Sequence, residues 1–191
     1  HMRVPALLTL LLALDGLAVI VAPGNPVGPL GAETIAKIFS GQLTSWVELG
    51  GRRAPIHVYV SAEGAAASDS LDAQILAPRK LMLVGGARRM ANEAALSDAV
   101  AADPDGIGVT SLSFLRNARA LDIATPCGIV ARPTSFAVKA EEYPLTRRLY
   151  VYTAGAPVEP TARQLLAYLA SDRAQAVIRD TQFVDQSVEL T

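Results

Sequence analysis

In the stretch Val58-Tyr59-Val60-Ser61-Ala62-Glu63-Gly64-Ala65-Ala66-Ala67-Ser68-Asp69-Ser70-Leu71, strand-forming residues give way to small loop residues and then to a helix start. A strand that enters a helix through a tight loop exposes backbone N–H groups at the helix N-terminus, where the helix dipole favours an anion. The stretch therefore predicts a cradle for a phosphate or carboxylate group. Its centre is Ala65, Ala66 and Ala67, which contribute only backbone donors.

We expect the binding residues of this cradle to be Ser61, Ala65–Ala67 and Ser68, with Arg147 reaching in from the second half of the chain. Arginine suits this role because it binds oxyanions through two parallel hydrogen bonds. The alternative for the pair Arg147-Arg148 is that at least one of them is a solvated or ion-paired residue at a strand edge. We give that alternative the greater weight.

Further motifs follow one another along most of the chain. They are Ala13-Leu-Asp-Gly-Leu-Ala-Val-Ile-Val21, Asn25-Pro26, Ile38-Phe-Ser-Gly-Gln-Leu-Thr-Ser-Trp46, Gly50-Gly51, Leu96-Ser-Asp-Ala-Val100, Gly106-Ile-Gly108, Glu142-Tyr-Pro-Leu-Thr-Arg-Arg-Leu-Tyr150 and Phe183-Val-Asp185. In this order they resemble the periplasmic phosphate-binding proteins of ABC transporters, in particular the variant often fused to an outer-membrane-associated module.

The resemblance implies a periplasmic-binding-protein-like α/β fold of type II and a non-enzymatic, solute-binding function in the periplasm. The ligand implied is a small oxyanion such as phosphate, held in a cleft between two lobes. The implied protein partners are the membrane subunits of an ABC transporter.

The chain departs from the family pattern in three places. Ala65-Ala66-Ala67 stands where the family carries Ser-Gly-Thr, and Ser61 stands at the position of an arginine. The segment that precedes the Leu14-Asp-Gly-Leu-Ala18 motif in the family, which supplies the first strand and helix of one lobe, is absent from this sequence. We therefore expect weak oxyanion binding. The alternative is a non-catalytic interaction or scaffold module whose anion site has decayed or been repurposed.

Composition excludes several other classes. The chain has 191 residues, 51% hydrophobic and 18% charged, which is typical of a globular protein. A net charge of -1 and an aromatic content of 5% give no electrostatic or stacking basis for nucleic-acid binding.

Catalytic and metal chemistry have little support in the sequence. Apart from His1, the only histidine is His57, so neither a Ser/His/Asp triad nor a histidine-rich metal site is readily built. The single cysteine, Cys127, is interpreted as a small hydrophobe near a strand. We expect no catalytic residues, no metal and no cofactor.

Three other positions have structural interpretations. Trp46 is expected to be a packing anchor, and Arg88-Arg89 a surface pair at a helix start. His1-Met2 is interpreted as an expression scar. The apolar run Leu7–Leu14 imitates a signal peptide but lacks a cleavage site, so we interpret it as a buried strand that continues to Val21.

Hydrophobic periodicity predicts alternating strands and helices. The predicted strands are Leu17–Val21, Ile56–Val60, Ile107–Val109, Phe136–Val138 and Arg148–Tyr152, and the predicted helices are Glu33–Phe39, Ser68–Leu76 (ended by Pro78), Glu93–Ala102, Ser113–Ala118 and Pro160–Ile178. This order indicates a mixed sheet with helices on both faces.

The resemblance divides this fold into one complete lobe, residues 24–122, and a partial lobe with crossing strands, residues 3–23 and 123–191. A partial lobe leaves a strand edge that must be covered. We therefore expect a homo-oligomer whose contacts involve Leu7–Leu14 and Phe136–Tyr152.

Overall fold

The computed structural model describes residues 7–155 and 159–187. One long strand, β1 (Leu7–Val21), connects the parts of the fold. The strands are β1 Leu7–Val21, β2 Leu30–Gly31, β3 His57–Ser61, β4 Arg88–Met90, β5 Gly106–Ser111, β6 Arg119–Ala120, β7 Ile123–Ala124, β8 Val130–Ala131 and β9 Thr146–Ala154. The helices are α1 Ala32–Phe39, α2 Ala66–Leu71, α3 Glu93–Ala102, α4 Ser135–Lys139, α5 Pro160–Leu169 and α6 Asp172–Asp180.

β1 belongs to two parts of the molecule. Its first half pairs antiparallel with β9, from Leu7 opposite Ala154 to Gly16 opposite Thr146. Its second half pairs antiparallel with β5, with Val19 opposite Val109. The sheet order is β4-β3-β5-β1-β6, with β3 parallel to both β4 and β5. The predicted mixed sheet is thus confirmed.

Side-chain alternation along β1 explains why helices cover both faces of this sheet. Successive residues of a strand point to opposite faces. Leu17, Val19 and Val21 join one core cluster with buried side chains of α1 and α2, whereas Ala18 and Ile20 join a second cluster with buried side chains of α3. The prediction of helices on both faces is confirmed.

The part built on the first half of β1 is less covered. It combines β1 and β9 with α5 and α6, and the Gln175 side-chain amide of α6 donates to the carbonyl of Leu12 at 3.3 Å. In α5, all of whose residues are described, no side chain is buried, and Leu165 and Tyr168 are exposed. β2, β7 and β8 form a separate small sheet.

The predicted strand Phe136–Val138 is wrong, because these residues lie in α4. Thr134 caps this helix by accepting a hydrogen bond from the backbone N–H of Ala137 at 3.1 Å. The cap decides the conformation of an apolar run too short to distinguish a strand from a helix.

The predicted single helix Pro160–Ile178 is also wrong. The chain breaks between α5 and α6, where the Ser171 hydroxyl accepts from the backbone N–H of Ala174 and starts a new helix. The predicted helix Ser113–Ala118 is replaced by a 3₁₀ turn, Leu112–Phe114, and irregular chain. There the backbone N–H of Arg116 donates to the Ser97 side chain at 3.1 Å instead of to a helical carbonyl.

The helical path that begins with α2 runs past Pro78. After Leu71 it widens into a π turn, Asp72–Leu76, and then tightens into a 3₁₀ turn, Ala77–Arg79. In the widened turn the backbone N–H of Ala77 donates to Asp72, five residues back. Pro78 is tolerated within the final turn, and the path ends at Lys80, whose φ of 55° is left-handed.

The N-terminal apolar run behaves as the predicted strand. From Leu7 onward it pairs with β9 of its own chain, and Ala13 and Leu14 are buried. Among the described residues, no helix combines the length and apolar character needed to span a membrane.

Candidate functional site

The first turn of α2 carries the residues that the sequence analysis selected. Ala65 is the N-cap, in extended conformation, and provides no side-chain hydrogen bond to the helix. The first N–H groups of a helix have no intrahelical partner, so those of the first turn remain available as donors. Ala66 is exposed, whereas Ala67 is fully buried, backbone included.

Ser61 and Ser68 lie against each other beneath this turn. The Ser68 hydroxyl donates to the Ser61 carbonyl at 3.2 Å. The Ser61 hydroxyl is buried, and within the part of the chain that the structure describes it has no hydrogen-bond partner. A buried hydroxyl without a partner costs stability. A ligand or a water molecule at the Ser61 hydroxyl would supply the missing hydrogen bond.

Arg147 reaches α2 from β9. Its Nη1 atom donates to the Ala66 carbonyl at 2.9 Å and to the Ser70 hydroxyl at 3.0 Å. Its Nε and Nη2 atoms donate to Asp15 Oδ2 at 2.9 Å and 2.5 Å. All three guanidinium nitrogens thus donate to protein oxygens, and only 17% of the side chain is exposed.

Asp15 is the partner of Arg147 that the sequence analysis did not select. Its side chain is 1% exposed, and its second oxygen accepts from the Ser111 hydroxyl at 2.6 Å. Asp15 and Arg147 are direct partners in the β1–β9 register. A charged residue within an apolar strand is rarely buried without a partner, so Asp15 in the Leu14-Asp-Gly-Leu-Ala18 motif was the available signal.

Glu93 adds a second carboxylate, which also bonds to Ser111. It accepts from the backbone N–H of Ser111 at 2.6 Å and from the Thr110 hydroxyl at 3.2 Å. The site therefore combines one guanidinium with two carboxylates. Negative charge outweighs positive charge here, which opposes the binding of a multivalent anion.

The structure places the neighbouring arginine differently. Arg148 forms an exposed ion pair with Glu141, with Nη2 to Oε1 at 2.7 Å. This pairing lowers the pKa of the Glu141 carboxyl. The interpretation that at least one of Arg147 and Arg148 is ion-paired is confirmed, and it holds for both.

A separate polar cluster surrounds the one histidine of the described residues. Asp103 accepts from His57 Nδ1 at 2.7 Å, from the Tyr59 hydroxyl at 2.8 Å and from Arg88 at 3.2 Å. Burial alone raises the pKa of the Asp103 carboxyl, but hydrogen bonds from His57, Tyr59 and the Asp105 backbone N–H together lower it below its ordinary value. His57, Asp103 and Asp105 offer ligand atoms within 4.8 Å of one another, as a metal site requires.

Guanidinium groups already compensate the carboxylates of this cluster. Arg88 contacts Asp103, and Arg52 donates to Asp105. Arg88 lies in β4, so its predicted place at a helix start is wrong.

Trp46 is 1% exposed and donates from its indole Nε1 to the Asp105 carbonyl at 3.0 Å, which confirms its role as a packing anchor. Cys127 lies near strands, between β7 and β8, as predicted, but it is exposed and not buried as a small hydrophobe would be.

Comparison with known proteins identifies the class. A family model described as a PBP superfamily domain matches residues 2–173. The chain belongs to this superfamily.

Solved structures show the same fold. An ABC-type phosphate transport receptor from Vibrio cholerae superposes with a TM-score of 0.83 and 22% identity, over 96% of this chain and 74% of that one. PstS from Borrelia burgdorferi gives 0.72 and 17%, over 95% and 73%. A phosphate-binding protein from Stenotrophomonas maltophilia gives 0.64 and 16%, over 95% and 68%. The predicted periplasmic-binding-protein-like fold is confirmed.

Proposed function

We propose that the chain is a solute-binding module that captures a small oxyanion, phosphate first among them, weakly and without chemistry. The observation that carries this proposal is the uncapped first turn of α2, which presents free backbone donors next to Arg147. Two of the structural relatives, an ABC-type phosphate transport receptor and a phosphate-binding protein, support the choice of ligand. The proposal includes a periplasmic location and the membrane subunits of an ABC transporter as partners.

The expected affinity follows from the donors that remain. Ala65, Ala66 and Ala67 contribute no hydroxyl, and each missing hydrogen bond to an oxyanion is worth roughly 1–3 kcal/mol. We expect a dissociation constant for phosphate weaker than about 1 μM. Calorimetric titration with phosphate and sulfate at neutral pH measures it, and submicromolar binding contradicts the proposal.

One observation favours a second candidate, a non-catalytic interaction or scaffold module with a repurposed site. Every guanidinium nitrogen of Arg147 already donates within the chain, and Asp15 takes the place of an anion. If the chain is such a scaffold module, calorimetric titration with phosphate up to about 10 mM produces no heat of binding.

The variant Asp15→Asn separates the two candidates. An amide in place of the carboxylate removes the resident negative charge and releases Arg147 for an external oxyanion. If the first turn of α2 is an oxyanion site, Asp15→Asn binds sulfate at least about tenfold more tightly than the unmodified chain. If a folded Asp15→Asn chain binds no better, the site does not take oxyanions and the scaffold function is favoured.

The lobe boundaries and the oligomeric state are part of the proposal. Residues 24–122 form the complete lobe, and residues 3–23 and 123–191 contribute the crossing strands and a partial lobe. The sparsely covered face of β1, β9 and α5 motivates a homo-oligomer in which a second copy covers it. Light scattering at high micromolar concentration tests this, and a strict monomer contradicts it.

A further inference from the structure

A cavity of about 670 Å³ lies apart from α2 and Arg147, where three segments meet. These segments are the turn after β5, the start of α4, and the chain from the end of α6 to Asp185. Cavities of 300–1,000 Å³ are the usual size of small-molecule sites. The cavity is therefore too large to be matched by an inorganic oxyanion alone.

The walls of the cavity combine apolar and polar side chains in similar numbers. Leu112 and Leu115 form one side, and Phe136, Phe183 and Val184 contribute to the rest. The Phe136 side chain is 76% exposed, although it is among the largest apolar side chains of the described residues. Aromatic rings that line a cavity favour a flat apolar group stacked against them or edge-on to them.

One cluster of charges lines the same cavity. Asp185 is buried, with 5% of its side chain exposed, and it accepts from Lys139 Nζ at 3.1 Å and from Arg179 Nη1. The Ser187 hydroxyl also donates to it. Two cations share one carboxylate, so the cluster has one positive charge in excess.

Both cations keep solvent-facing surface at the cavity. The Lys139 side chain is 32% exposed and that of Arg179 is 48% exposed. Asp185 holds the Lys139 ammonium and the Arg179 guanidinium in position. An anion that binds to both groups therefore need not order flexible side chains from solution. A single negative charge neutralises the excess, whereas a dianion overcompensates it.

We propose that this cavity, lined by Phe136, Lys139 and Arg179, binds an organic monocarboxylate with an aromatic body. The carboxylate of the ligand lies against Arg179 and Lys139, and its ring covers Phe136 and Phe183. This site is separate from the oxyanion site proposed at α2, because Arg147 and the first turn of α2 do not line it.

Phenylacetate is the probe for this site. Its aromatic ring and its carboxylate are tested separately, by comparison with acetate and with phenylacetamide. In calorimetric titrations of the unmodified chain, we expect phenylacetate to bind, and acetate and phenylacetamide to bind at least about tenfold more weakly. Phosphate at equal concentration leaves phenylacetate binding unchanged. Displacement of phenylacetate by phosphate, or acetate binding as tightly as phenylacetate, overturns the proposal because the site is then a simple anion site.

Two variants locate the binding. Phe136→Ala removes an exposed ring with little effect on folding, and it weakens phenylacetate binding about fivefold. Arg179→Gln weakens it about tenfold or more. The controls are Tyr152→Ala, an exposed aromatic residue of β9, and Arg173→Gln, an exposed arginine of α6; neither residue lines the cavity.

The controls are expected to bind phenylacetate as the unmodified chain does. Thermal melts establish that each variant is folded before titration. A folded Phe136→Ala variant with unchanged affinity contradicts the proposal even if Arg179→Gln fails to fold. The proposal is also overturned if the unmodified chain binds no phenylacetate at about 10 mM.

Discussion

Arg147→Met is the most direct test of the ion pair at the centre of this fold. The substitution keeps a long side chain but removes the guanidinium from Asp15, which is 1% exposed. Asp15 is then left with the Ser111 hydroxyl as its only remaining side-chain partner among the described residues. Breaking a buried ion pair from one side costs about 3–5 kcal/mol, because the other charge stays buried without compensation.

The expected loss lies at the lower end of that range. Arg147 is 17% exposed, so water screens part of the interaction and relaxes around the variant. A loss of about 3 kcal/mol corresponds to a fall in melting temperature of roughly 6–12 °C for a chain of this size. Urea unfolding, followed by circular dichroism, measures the free energy directly.

The chain offers a matched control and a rescue. Arg148 is the next residue of the same strand, but its ion pair with Glu141 is exposed, so Arg148→Met is expected to change stability little. The double variant Asp15→Asn/Arg147→Met removes both charges and is expected to be more stable than Arg147→Met alone. The reasoning is refuted if Arg147→Met costs less than about 1 kcal/mol, or if the double variant loses the sum of the single losses.

Further predictions concern single residues elsewhere. Ala65→Ser supplies the missing N-cap of α2 and is expected to raise the free energy of unfolding by about 1 kcal/mol; an unchanged urea midpoint contradicts this. Gly16→Ala places a methyl group within 2.6 Å of Leu112 and 2.8 Å of Val138, and is expected to cost about 1–3 kcal/mol, while Gly28→Ala, in open space, is the control. Burial alone raises the pKa of the Asp185 carboxyl, but hydrogen bonds from Ser187, Lys139 and Arg179 lower it overall. The ionised carboxylate therefore stabilises the fold above the unfolded pKa of about 3.9, and this stabilisation is lost as pH falls through the folded pKa. The stability difference between the unmodified chain and Asp185→Asn is therefore expected to shrink as pH falls below about 4, and a difference that stays constant contradicts it.

α3, β3 and β5 could be predicted from the sequence because the signals that define them lie within each segment. α3 was predicted with its observed bounds, since Asn92 caps its start and Leu96 and Val100 repeat at helical spacing. Residues 58–60 of β3 and 107–109 of β5 are buried in continuous runs, as expected for strands covered on both faces.

The wrong predictions concern segments in which the pattern of hydrophobic residues does not determine the secondary structure. Phe136–Val138 has the composition of a strand, but Thr134 caps it as a helix, and the exposed Phe136 shows that its ring is not part of the main core. In the same way, helical periodicity continues across Ser171, although the hydroxyl of that residue starts a new helix. In both cases one side chain hydrogen bond outweighed the pattern of hydrophobic residues.

The candidate site was predicted only in part, because its central contact depends on strand register. Asp15 and Arg147 are 132 positions apart, and they meet because the β1–β9 pairing places them directly opposite each other. A one-residue shift of that register would place the two side chains on opposite faces of the sheet. Neither residue type alone reveals the pairing, although an aspartate inside an apolar strand indicates that some cation must be near.

This register also bears on ligand affinity. A carboxylate bonded to Arg147 at 2.5 Å and 2.9 Å is a permanent internal anion, which an external oxyanion must displace or share. Displacement leaves Asp15 buried and uncompensated, at a cost comparable to that of removing the guanidinium. An oxyanion at α2 must therefore rely on backbone N–H groups and on the unpartnered Ser61 hydroxyl. Replacing alanine by serine in the loop adds a donor but leaves Asp15 in place, so we expect Asp15→Asn to raise oxyanion affinity more than Ala65→Ser does.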